Sequence, residues 1–216
     1  CAADRIRERF AAEGKTAVCY GMGDGLEDVK RVSSVGKNIV VAPAALEAAK
    51  YLERTYGTPY ETGYPLVDEL VCDMDYHGKK VLIVQQQVIG CAIREEILKK
   101  APDAQVTVAS WFMMKTELRR DEDLNLRDEE DYIGLVENGA YDVIYADSCM
   151  KRMTPKFEGL FVDTIHFAVS GKLVTVEAAK ELKEPKKPRG SKEPGKTDSH
   201  DYYDYDRMSP MGEAYE

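Results

Sequence analysis

The 216-residue chain has little of what marks several common protein classes. No apolar run approaches the roughly 18 residues that a membrane-spanning helix needs, and no charged-then-apolar leader opens the chain. Lys and Arg total 30 against 39 Asp and Glu, a net charge of -9, which argues against a general nucleic-acid or membrane-surface binder. The five cysteines (Cys1, Cys19, Cys72, Cys91, Cys149) are odd in number and never stand in Cys-x-x-Cys or Cys-x-x-His spacing. That pattern suits a reduced, cytoplasmic chain in which spacing specifies no metal site. The glycine cluster Gly21 to Gly25 lacks both the GxGxxG spacing and the Lys-Ser/Thr of a P-loop. It reads as a strand-to-helix turn, with Asp24 capping a helix that turns Leu26, Val29 and Val32 inward. The chain opens at Cys1 with no strand or cap signal to introduce it, so an N-terminally truncated fragment is expected.

What is present is organised around Gly78 to Lys100. Lys80 to Val84 is a short run of branched apolar residues, suited to a strand buried on both faces. Three glutamines (Gln85, Gln86, Gln87) follow, and then a helical pattern with Ile89, Ile93 and Ile97 on one face. Arg94, Glu95, Glu96, Lys99 and Lys100 take the other face, where Glu95–Lys99 and Glu96–Lys100 are expected to pair. This strand, turn and helix form the opening of a βαβ unit.

The remaining chain repeats the alternation. Residues 4–12 read as a short helix with Ile6 and Phe10 on one face, and Thr16 to Tyr20 as a buried strand. Asn38 to Ala42 is a strand, and Pro43 starts a helix with a stripe at Ala45, Ala49, Leu52 and Tyr56. Gly57 and Pro59 end it, the segment to Pro65 is extended, and Leu66 to Met74 is a weaker helix. Gln105 to Ala109 is a strand with Trp111 and Phe112 past its end, and Arg119 to Arg127 a solvated, charge-dense loop. A helix through Tyr132, Ile133 and Val136 stops at Gly139. Strands follow at Tyr141 to Ala146 and Leu160 to Val162. The expectation is an α/β fold of Rossmann-like parallel sheet layers. Its parts are a partial middle domain with a connecting helix over 1–77, a complete C-terminal domain over 78–175, and a disordered tail over 176–216. That tail is rich in Lys, Pro and Gly and then acidic with tyrosines, so it offers nothing to bury.

Three stretches together resemble the nitrogenase component 1 family. The first is the acidic glycine turn through the Asn-led strand, Gly23 to Val41. The second is Ala44 to Pro65, with its helix ending in Gly57-Thr58-Pro59-Tyr60. The third joins His77 to Gln87 with Tyr141 to Met153 and Asp163 to Gly171. The resemblance implies a subunit of stacked Rossmann-like domains that pairs with a paralogous or identical component 1 subunit. It implies an iron–sulfur cluster in the full-length assembly, with ligands outside this chain, and an ATP-dependent iron–sulfur reductase as electron donor. In that family's molybdenum nitrogenase subunit one Cys and one His hold the active-site cofactor. The place of the Cys is Ala42 here, and His166 lies about one residue from the expected offset before Ser170-Gly171. Losing the thiolate removes the soft ligand an iron cluster needs at that point.

In open α/β sheets ligands gather at the carboxyl ends of strands, which places the candidate site residues there. His166 is the candidate ligand or proton donor. Gln85, Gln86 and Gln87 could hydrogen-bond a cofactor, and Cys91 and Cys149 are candidate thiolates near element ends. Each has an ordinary reading beside it: a satisfied buried histidine, turn glutamines bonding to backbone, and small buried cysteines. Gln85 to Gln87, Asp147 to Cys149 and His166 are expected to converge on one cleft, facing the preceding domain across the helix from Ala44 to Tyr56. The function expected is a fragment of a nitrogenase-like oxidoreductase subunit, inactive alone. The alternatives are a non-catalytic scaffold or carrier for metal-cofactor or tetrapyrrole assembly, or an unrelated Rossmann-like small-molecule or sugar-transfer domain.

Overall fold

A computed structural model describes residues 2–20, 29–166 and 169. The glycine turn at 21–25, Leu26 of the helix expected after it, and the 176–216 tail lie outside the described residues. Among the described residues two parallel sheets are formed. The smaller pairs β1 (Asn38–Val40) with β2 (Tyr60–Thr62) in the register Asn38↔Tyr60. The larger has the order β5-β4-β3-β6-β7, parallel throughout. Its strands are β3 (Lys80–Val84), β4 (Gln105–Ser110), β5 (Leu124–Asn125), β6 (Val143–Ala146) and β7 (Leu160–Asp163).

The α-helices among the described residues include α1 (Ala2–Ala12), α2 (Leu46–Tyr56), α3 (Gln87–Lys100) and α4 (Glu129–Gly139). Period-2 alternation sends Val81 and Ile83 to one face of β3, where they meet Ile93 and Ile97 of α3 and Tyr145. Leu82 and Val84 face the other way, onto Tyr132 and Val136 of α4. The sheet is thus covered on both faces, which is why β3 and β6 read as unbroken apolar runs. Fully burying Ile93 or Ile97 contributes about 1.5–3 kcal/mol each.

Helix ends follow local chemistry. Gly57 closes α2 at φ 71, where a side chain would be strained. Asp128 caps α4 by accepting from Asp131 N at 2.9 Å. Pro43 sits in a 3-10 turn, Pro43–Ala45, that leads into α2.

Several expectations are corrected. Thr16 to Tyr20 forms no strand and is not buried; Val18 is exposed, because no described strand offers it an edge. Val29 is also exposed, and Val32 starts a 3-10 turn. The buried stripe of α2 is Leu46 and Ala49, while Ala45 and Tyr56 face solvent. Leu66 to Met74 holds only a 3-10 turn, Val67–Glu69. Two tyrosines explain this. Cys72 N donates to Tyr145 Oη at 3.1 Å and Cys72 O accepts from Tyr76 Oη at 3.1 Å, so both backbone groups are diverted from a helical ladder. Arg94 is buried rather than solvated, and Glu95 pairs with Arg120 and Glu96 with Lys99, in place of the expected i,i+4 pairs. The loop from Arg119 contains β5 and the fully buried Asp123.

Candidate functional site

From β3 the chain steps outward to β4 and β5, then returns to the other side of β3 for β6 and β7. The carboxyl ends of β3 and β6 therefore flank the point where strand order reverses. Connections lead away from it in opposite directions, the arrangement beside which ligands of open α/β sheets commonly bind. Gln85 to Gln87 leave β3 at that point, and Asp147 to Cys149 leave β6.

The glutamines bond chiefly to backbone. Gln85 is buried, and its Nε2 donates to Ile165 O at 3.2 Å, which ties β3 to the segment after β7. Gln86 caps α3: its Oε1 accepts from Val88 N at 2.6 Å and Ile89 N at 3.2 Å. Its Nε2 donates to Val41 O at 2.6 Å, joining the two sheets. Gln87 exchanges two bonds with the Lys115 backbone, at 2.9 and 2.7 Å.

His166 and Asp147 are both 1% exposed and share the edge with Gln85. His166 N donates to Asp147 Oδ2 at 2.9 Å, and the other oxygen, Oδ1, accepts from Cys149 N at 3.0 Å. One carboxylate thus orders the ends of both β6 and β7. The imidazole stacks on Phe112, with ring centroids 5.7 Å apart and planes at 28°. Burial pushes its pKa below the ordinary value, while the Asp147 charge pulls the other way. Such a histidine rests neutral and can donate or accept one proton at a ring nitrogen. Phe112, which stacks on it, and the preceding Ile165 are exposed apolar side chains.

The two candidate cysteines differ. Cys149 is exposed at the end of β6. Cys91 is half-buried on α3, where Arg94 Nη2 lies 3.5 Å from its Sγ. Burial pushes its thiol pKa up, away from thiolate character. Cys91, with Val88 and Ala92, lines a cleft of about 330 Å³ whose opposite wall is Thr62-Gly63 and Glu117 to Arg120. Of the candidates, Cys91 alone lines this cleft; His166 and the glutamines lie elsewhere.

The described residues do not suit an iron–sulfur cluster. No group of three or more His, Cys, Asp or Glu side chains among them converges to hold a metal ion. Three features escaped sequence reasoning. Phe112 against His166 was signalled only by its place just past β4. The Arg94–Asp123 pair and the Tyr76–Tyr145 contact join residues far apart in sequence and left no pattern to find.

The fold is a doubly wound α/β sheet whose strand order reverses between β3 and β6. A solved structure titled "Nitrogenase Cp1 at pH 6.5" shares this fold with a TM-score of 0.51 at 16% identity. The match covers 80% of this chain and 52% of that one, so the chain spans about half the length of its structural neighbour. No family model matches the sequence, and no curated protein matches it. Among the described residues no helix is long and apolar enough to cross a membrane.

Proposed function

We propose that the chain is part of a nitrogenase component 1-like subunit, working in the cytoplasm on a substrate handled at the carboxyl edge of its sheet. The observation that carries this reading is the shared fold over 80% of the chain. In this reading residues 1–77 belong to a middle domain and 78–175 to a C-terminal one. His166, held by Asp147 and backed by Phe112, delivers or accepts a proton at the edge. Gln85, Gln86 and Gln87 keep that edge rigid, and Cys149 offers a thiol beside it. Cluster ligands come from outside this chain, and electrons from an ATP-dependent iron–sulfur reductase docking on the assembled subunits.

The test is anaerobic capture from the native cell extract, with and without MgATP. Nucleotide-dependent recovery of an iron–sulfur ATPase together with a second component 1-like chain is the expected result. Recovery of neither rejects the proposal.

One observation favours a second reading, a non-catalytic scaffold or carrier for metal-cofactor or tetrapyrrole assembly. Past the end of β1, where the family's cofactor-holding Cys would fall, Ala42 stands in extended conformation (φ -143, ψ 142) with no ligating atom in its side chain. A cofactor that can be transferred intact to another protein, with no turnover on the chain, distinguishes this reading from the first.

A further inference from the structure

The outer edge of β7 presents hydrogen-bonding groups that no described strand answers. Leu160 N donates to Asp142 O and Thr164 N to Ala146 O, each at 2.9 Å, so this set faces β6. Phe161 and Asp163, between them, turn their N–H and C=O groups outward. The opposite edge of the sheet is only the two-residue β5, whereas β7 has four residues. Leu160, which begins β7, and Ile165, two residues past its end, are 46% and 48% exposed. Above the Phe161 ring lies the Lys151 ammonium, 5.8 Å from the centroid. The Asp163 side chain lies two residues on, and therefore on the same face of the sheet.

We propose that β7 pairs antiparallel with β7 of a second copy of this chain, about a two-fold axis at Val162. This register places Phe161 opposite Asp163 of the second copy, and the outward groups of each satisfy those of the other. Leu160 comes opposite Thr164 of the second copy and loses part of its exposure. Side chains directly opposite share a face, so Lys151, over Phe161, meets the carboxylate of the second copy's Asp163. Charge complementarity is what selects this register: a shift by two residues leaves both charges without an opposite partner. The two-fold arrangement consumes both β7 edges and closes, whereas a free edge is a template for open-ended growth. The inference rests on strand geometry and does not depend on the proposed function.

Sedimentation equilibrium of the 216-residue chain, from about 1 to about 100 μM, tests it. A monomer–dimer equilibrium is expected. Lys151→Asp, on an exposed side chain, should raise the dissociation constant at least about tenfold by setting like charges opposite each other. Lys151→Asp/Asp163→Lys should bring it back to within about threefold of the parent. Asp163 also accepts from Ser148 N at 2.8 Å, so the melting transition of every variant is recorded as a check on folding. A chain that stays monomeric throughout the range overturns the proposal, whatever covers β7. So does a dimer indifferent to Lys151→Asp, or one weakened equally by the single and the double exchange.

Discussion

Arg94 and Asp123 show how much one residue pair can decide. Both side chains are removed from water, with Nη1 and Oδ1 2.5 Å apart. Asp123 also accepts from Val108 N at 3.1 Å and Arg120 N at 2.9 Å. One carboxylate therefore staples α3, β4 and the loop before β5. Asp123→Ala should cost about 3–5 kcal/mol, because it leaves a buried guanidinium without its counter-charge. Arg94→Met in the same chain should recover part of that loss. Urea denaturation of the single and double variants measures both. His166 gives a prediction in pH. Its folded pKa lies below the ordinary value of 6.5, so the unfolded chain binds a proton that the folded chain refuses. Stability should then be full above about pH 6.5 and decline as pH falls below it toward the folded value. His166→Gln should flatten that part of the profile, seen as a difference in unfolding free energy between the two chains across about pH 8 to 5.

At the scale of the element, α3 is the most instructive. Its isoleucines at spacing four made it legible, and Ile93 and Ile97 are fully buried as that spacing requires. The buried Gly90 was not foreseen. A Cβ added there would stand 2.7 Å from Val108 Cγ1 and 3.6 Å from Ile83 Cγ2, so α3 lies directly on the sheet at this turn. Gly90→Ala should destabilise by about 1–3 kcal/mol despite alanine's better helix propensity. Val108→Ala should reduce that penalty, so that the double variant is more stable than the two single losses add up to; thermal melts decide. The segment from Leu66 to Met74 is the opposite case. Its local pattern favours a helix, yet tyrosine hydroxyls brought in from β6 and from Tyr76 occupy the Cys72 backbone.

For the whole molecule the arrangement of the two sheets matters most. They are joined by Gln86 to Val41 O at 2.6 Å, by Lys50 to Glu117, and by Leu118 packed on Val40, Leu46 and Ala49. Every one of these ties falls close to the carboxyl edge or to the cleft that Cys91 lines. A ligand or partner engaging that side would act on both sheets together. Because the described residues bring no metal-ligating cluster together, the chain reconstituted anaerobically should hold well under one iron per chain. Iron analysis checks this. A stable cluster of about four irons would overturn the view that its ligands lie elsewhere.

The amino-acid sequence by itself determined the class of fold, because burial on both faces writes apolar runs at β3 and β6 and fourfold spacing on α3. It also determined where α2 stops, since Gly57 ends it locally, whereas α4 runs through Gly139 and takes its left-handed cap at Ala140. Tertiary structure alone decided the burial of Arg94, the loss of a helix before β3, and the fate of the three glutamines. Each of those depends on a partner distant in sequence: Asp123, Tyr145, and the backbones of Ile165, Val41 and Lys115. Periodicity reports which face of an element avoids water. It carries no information about which distant group will meet that face, and at this sheet edge the distant groups define the site.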